Sequence, residues 1–135
     1  MSDAVPVRGI VTAHGDMALG MVDAVRQIAG GTEDVLVPVS NVGKSPDALV
    51  AEIEAIAGGA PVIVFTDLQA GSCTLAARLS SREHPERAVL CGVNLPMLLD
   101  FVFHRDLPLD ELVARLLAKG RQGVIAVAGP TAEPR

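Results

Sequence analysis

The chain has 135 residues, 50% of them hydrophobic, with 11 basic and 16 acidic side chains and a net charge of −5. That is enough apolar material for one core of ordinary domain size, and the acidic balance has the wrong sign for gripping a phosphate backbone. Three Phe with no Tyr and no Trp leave no stacking platform for single-stranded nucleic acid, and two cysteines can make neither a disulfide framework nor a four-cysteine metal centre.

Read in chain order, short β-branched runs alternate with helical patterns. Val7–Ala13 reads as a strand, and Ala18, Met21, Val22, Val25 and Ile28 follow at helical spacing up to Gly30-Gly31. Asp34–Val39 is a second strand. Ser45-Pro46 opens a second helix, Ser as N-cap and Pro in the first turn, with Leu49, Ile53 and Ile56 as its stripe and Gly58-Gly59 as its end. Pro61–Thr66 is almost wholly apolar, as a central parallel strand buried on both faces must be. Gly71-Ser72 introduces a third helix, with Ser72 placed for a cap, and Ser81–Glu86 is a polar turn before a fourth strand, Ala88–Val93. Asn94-Leu95-Pro96 starts a short helix. Another runs from near Asp106 to Lys119-Gly120, and Val124–Val127 is expected to form a fifth strand.

Repeated strand–helix units with short loops predict an α/β fold, a doubly wound, mostly parallel five-stranded sheet with helices on both faces. No apolar run approaches the roughly 18 residues that span a bilayer. Met1–Pro6 carries no basic region followed by an apolar stretch, so a cytoplasmic protein that does not itself span the membrane is expected.

In open sheets of this kind, chemistry collects beyond the carboxyl ends of the strands. The first strand ends in Thr12-Ala13-His14-Gly15, the third in Thr66-Asp67-Leu68 ahead of Gly71-Ser72-Cys73, and the fourth in Gly92-Val93-Asn94-Leu95-Pro96. With the common 2-1-3-4-5 strand order, His14 and Asp67 come within reach of each other. A carboxylate that accepts one ring proton of a histidine fixes its tautomer and leaves the other nitrogen's lone pair pointing outward. The amides at the start of the third helix, with Gly71 and the Ser72 hydroxyl, form a place for an anion. No Walker-type loop and no acidic pair after the first strand are present, so a nucleotide–magnesium site lacks its parts. Cys73 and Cys91 are expected to be packing residues, His84 a solvated turn residue, and His104 a helix-end residue.

Three blocks carry a resemblance. They are Gly9-Ile10-Val11-Thr12-Ala13-His14-Gly15-Asp16-Met17-Ala18, Val64-Phe65-Thr66-Asp67-Leu68 with Gly71-Ser72, and Gly92-Val93-Asn94-Leu95-Pro96-Met97-Leu98-Leu99. In their order and spacing the chain resembles the enzyme IIA component of the mannose (mannose–fructose–sorbose) family of the bacterial phosphoenolpyruvate-dependent sugar phosphotransferase system (PTS). The resemblance implies a IIA domain over residues 1–127, with 128–135 as a loose tail. It implies that His14 takes a phosphoryl group from HPr and passes it to a IIB histidine in sugar uptake, oriented by Asp67. Thr66, Gly71 and Ser72 would surround the phosphate, and Asn94, Leu95, Pro96 and Met97 would dock partners. Neither a metal nor any other cofactor is expected. The family fold implies an antiparallel edge fifth strand exchanged across a homodimer.

The chain departs from the family pattern at Ala13, where Thr is usual, and after Asp67, where Leu68-Gln69-Ala70-Gly71-Ser72-Cys73 stands for Leu-Phe-Gly-Gly-Ser-Pro. An alanine in a glycine's place would be strained if its φ were positive. The alternative function is a regulatory, non-transport IIA-like module whose phosphorylation state controls a partner protein.

Overall fold

The computed structural model describes residues 5–130. Nine elements follow in order: β1 (Arg8–Ala13), α1 (Met17–Ala29), β2 (Leu36–Ser40), α2 (Pro46–Ala57), β3 (Val62–Thr66), α3 (Ser72–Ser81), β4 (Arg87–Cys91), α4 (Leu95–Phe103) and α5 (Leu109–Gln122). The sheet has four strands in the order β2-β1-β3-β4, and every neighbouring pair is parallel.

The central strands carry the core on both faces because their side chains alternate. Val11 and Ala13 of β1 and Ile63 and Phe65 of β3 join Val22, Val25, Leu98, Phe101, Leu112 and Leu116, so α1, α4 and α5 cover that face. Ile10, Val62 and Val64 point the other way, onto Leu49, Ile53, Ala76 and Ala77 of α2 and α3. Phe65 and Phe101 meet edge-on, ring centres 5.2 Å apart at 72°, and burying each ring contributes about 2–3 kcal/mol. Gly9 makes room for this pair, since a Cβ there would lie 2.7 Å from Leu36 Cδ1 and 2.8 Å from Phe101 Cε2.

The helix starts follow local chemistry. Ser45 Oγ accepts the Ala48 amide at 3.2 Å, with Pro46 leading α2. Asn94 Oδ1 accepts the Met97 amide at 3.1 Å at the start of α4, while its Nδ2 donates to the Gly120 carbonyl at 2.8 Å.

Four expectations are corrected. The sheet has no fifth strand and no antiparallel edge among the described residues. Val124–Val127 has the β-branched composition of a strand but no neighbour to complete a ladder, and Val124 and Val127 are 77% and 83% exposed. Helix α5 does not close at Lys119-Gly120 but continues to Gln122. Gly120 is a contact, not a stop: a Cβ there would lie 2.6 Å from Met97 Cε. The second strand begins at Leu36, after a turn in which Asp34 has φ +67°. Ile28, assigned to the inner stripe of the first helix, is exposed. Of the expected tail, residues 131–135 lie outside the described residues.

Candidate functional site

The site stands at the carboxyl ends of β1 and β3, where connections depart to opposite sides of the sheet, the place such sheets leave open for ligands. Strand β1 is buried to Ala13, and His14 is the first residue to emerge, its side chain 45% exposed. Gly15 then turns the chain with φ +58°, a conformation that a side chain would strain. The end of β2 holds this turn: Asn41 Oδ1 accepts the Gly15 amide at 3.1 Å, and Ser40 Oγ donates to the Gly15 carbonyl at 2.8 Å.

Asp67, just past β3, grips His14 twice. Its Oδ2 accepts the His14 backbone N–H at 3.0 Å and faces Nδ1 of the ring at 2.8 Å. An ionised carboxylate can only accept, so Nδ1 carries the proton and Nε2 presents a lone pair on the exposed side. The Asp67 side chain is only 7% exposed. Burial pushes its carboxyl pKa up, but the hydrogen bonds from the His14 amide and ring, and the ring's attraction when doubly protonated, outweigh burial and hold it below the ordinary value.

The other rim is the start of α3. Gly71 has φ +108° and lies against the imidazole, where a Cβ would stand 3.4 Å from His14 Cε1 and 3.7 Å from Nε2. The first helix bond runs from the Leu75 amide to the Gly71 carbonyl at 3.0 Å, so the amides of Ser72, Cys73 and Thr74 have no acceptor within the helix. Ser72 is the first helical residue and makes no cap bond, because Gly71 occupies the cap position. Ala70 escapes the strain its composition implied, since Gly71 takes the positive φ instead.

Thr66 is wholly buried, and its hydroxyl is committed within the loop. It lies 2.7 Å from Thr74 Oγ1, and both hydroxyls converge on the Leu68 carbonyl. Thr66 thus braces the turn that carries Asp67. Cys73 is buried beside the pair, and desolvation raises its thiol pKa while the neighbouring Thr12 and Ser72 hydroxyls oppose the shift, which leaves a thiol and not a nucleophilic thiolate. Cys91 is partly exposed on an adjoining depression of about 280 Å³, which it lines with Gln69, Asn94 and Arg121. A second depression, about 380 Å³, opens on the other side of Gln69 against Gly71, Ser72, Leu75 and Arg78.

Of the residues expected to dock a partner, Pro96 is exposed and Asn94 and Leu95 are half-buried, while Met97 is in the core against Gly120. His84 pairs with Glu86 at 2.9 Å and His104 Nδ1 meets the Asp100 carbonyl at 2.8 Å. Neither has a glycine-lined opening beside its ring. Sequence reasoning missed Ser40, Asn41 and Thr74. A polar pair closing an otherwise apolar strand, Ser40-Asn41, was the available signal for the first two.

A family model described as "PTS system fructose IIA component" matches residues 9–117. The sorbose-specific EIIA component of Klebsiella pneumoniae is 32% identical over 124 residues, covering 86% of this chain and 88% of that protein. The mannose-specific EIIAB component of Escherichia coli K12 is 30% identical over 132 residues. That alignment covers 92% of this chain but only 40% of the EIIAB protein, so this chain spans about two fifths of its length. Among solved structures, the phosphotransferase system component EIIA of Streptococcus agalactiae superposes with a TM-score of 0.83 at 25% identity, over 89% of this chain and 96% of that one.

Proposed function

Because the chain belongs to the mannose-type enzyme IIA family of the sugar phosphotransferase system, we propose that it is a phosphohistidine carrier, taking a phosphoryl group from HPr onto His14 and passing it to a IIB component. The observation that carries this reading is the His14–Asp67 pair, with Nδ1 held at 2.8 Å and Nε2 left free on the open side.

The transfer is an in-line displacement. The Nε2 lone pair attacks phosphorus as the donor histidine's N–P bond breaks, and that bond's electrons return to the donor ring. The proton on Nδ1 stays in place, and the Asp67 carboxylate offsets the positive charge that grows on the His14 ring. Gly71 leaves the space beside Nε2 that a side chain would narrow. The free amides of Ser72, Cys73 and Thr74, with the Ser72 hydroxyl, are the donors for the phosphoryl oxygens. Thr66 acts at one remove, through the Leu68 carbonyl. The donor's N–P bond is labile, so positioning and amide donors suffice for the step. Transfer to IIB runs the same displacement in reverse.

Partners meet the site across an apolar rim: Met17 at the start of α1, and Val42 and Leu68 on the loops after β2 and β3, are all exposed. On the β4 side, Leu95 and Pro96 supply contact, with Asn94 and Met97 holding them. No helix is long and apolar enough to cross a membrane among the described residues, and we place the protein in the cytoplasm with its phosphoryl donor.

The test is incubation with labelled phosphoenolpyruvate, enzyme I and HPr. Acid-labile label should appear on the wild type, His84→Ala and His104→Ala, and be absent from His14→Ala. Wild-type labelling of His14→Ala would refute the assignment.

A further inference from the structure

We propose that His14, Asp67 and Cys73 also form an inhibitory site for a thiophilic divalent cation of the zinc class. A ring nitrogen, a carboxylate oxygen and the thiol sulfur of these three residues all lie within 4.8 Å of one another. Nitrogen, oxygen and sulfur donors at that spacing are the set zinc takes, and the sulfur favours zinc over magnesium or calcium.

A second observation points to a cation independently of the cysteine. Asp67 Oδ1 has no hydrogen-bond partner, although the side chain is 93% buried, being 7% exposed. Buried carboxylate oxygens are normally satisfied, and the His14 contacts use only Oδ2. Asp67 Oδ1 is therefore short of a positive charge or a donor.

Ligand atoms of a tetrahedral zinc ion stand about 3.4 Å apart, given bonds of about 2.0–2.3 Å. The Nδ1–Oδ2 pair at 2.8 Å must open slightly, and the sulfur must close in, both within reach of side-chain rotation. On binding, the Cys73 thiol proton leaves to solvent and the His14 proton moves from Nδ1 to Nε2, so the ion takes the sulfur and Nδ1 lone pairs and the ring stays neutral. Water from the exposed His14 side fills the fourth position.

The inhibitory half rests on the phosphotransfer reading; the site itself does not. With zinc on Nδ1 the ring's proton sits on Nε2 and the Asp67 charge is engaged by the ion, so Nε2 has no lone pair to offer the phosphoryl group.

The reduced, chelator-treated full chain is titrated with zinc against a chromophoric chelator, and with cobalt(II) as a spectroscopic probe. One zinc per chain is expected, with thiolate-to-cobalt charge-transfer absorption. Cys73→Ala and Cys73→Ser should abolish that band and weaken zinc at least tenfold, with Cys91→Ala and His84→Gln unchanged. Absence of stoichiometric binding, or binding kept in both folded Cys73 variants, overturns the site. Labelling from purified phospho-HPr should slow at least tenfold in zinc-loaded wild type and stay unchanged when zinc is added to Cys73→Ala. Equal rates with and without bound zinc overturn the inhibition. Zinc binding in a protein that never accepts label would refute the phosphotransfer reading and the inhibition with it, and leave the site standing.

Discussion

Asp67 sits where burial and charge pull in opposite directions, and His14 decides the outcome. Its carboxyl pKa lies below the ordinary value in the folded protein, so the stability it contributes is complete above the unfolded carboxylate range and disappears as pH falls through the lowered folded value. Asp67→Asn should therefore cost about 1–3 kcal/mol between pH 5 and 8, on the order of the loss for a charged buried hydrogen bond. The gap to wild type should close below about pH 4, as denaturant melts at several pH values will reveal. Phosphorylation of His14 should fall by about 100-fold or more in the same variant, because the ring loses its fixed tautomer. Ser72 behaves differently. It makes no cap bond, so Ser72→Ala should change stability by no more than about 0.5 kcal/mol, yet shift the transfer equilibrium back towards phosphorylated HPr. Melting and transfer measured on one preparation separate the two roles. The strand-end rule made His14 and Asp67 legible in the sequence, since each follows an apolar run directly. Ser40 and Asn41 showed only as a polar pair closing an apolar strand, and nothing local says that this pair will reach the Gly15 backbone of the neighbouring loop.

Among the elements, the close of the β3–β4 layer depends on one buried cation. The Arg87 guanidinium donates to the Ser80 carbonyl at the end of α3, to the Gly58 carbonyl after α2 at 2.7 Å, and to Glu54 at 3.0 Å. Arg87→Ala strands two carbonyls and should cost about 2–3 kcal/mol in a urea melt, while the acid-labile label on His14 persists below the melt. All nine elements could be read from periodicity and punctuation to within a few residues, though α5 ran past its expected end to Gln122. Glycine after lysine reads as a stop, but Gly120 is small because Met97 leans on it, and only tertiary packing reveals that. The Val124–Val127 segment failed in the opposite sense. Its composition is that of a strand, but a strand needs a neighbour, and local composition cannot supply one.

At the scale of the whole molecule, the order β2-β1-β3-β4 places two strand ends side by side and gives the site its floor. Past α5 the surface is less settled. Val124, Ile125 and Val127 are exposed in close succession, an apolar patch that a lone chain leaves in water. We propose that a second copy of the chain covers this patch, in the homodimer that the family resemblance implies. Sedimentation should give twice the 14.0 kDa chain mass, and Val124→Ser with Val127→Ser should shift it to the monomer. A monomeric wild type would remove self-association from the account.

On this mechanism Asp67 holds Nδ1 of His14 so that Nε2 receives the phosphoryl group. Nitrogen-15 NMR of the histidine rings, before and after phosphorylation through HPr, reads both nitrogens at once. The expected spectrum shows phosphorylation at Nε2 of His14 alone, with Nδ1 still protonated. Phosphate on Nδ1 of His14, or on the ring of His84 or His104, would contradict it.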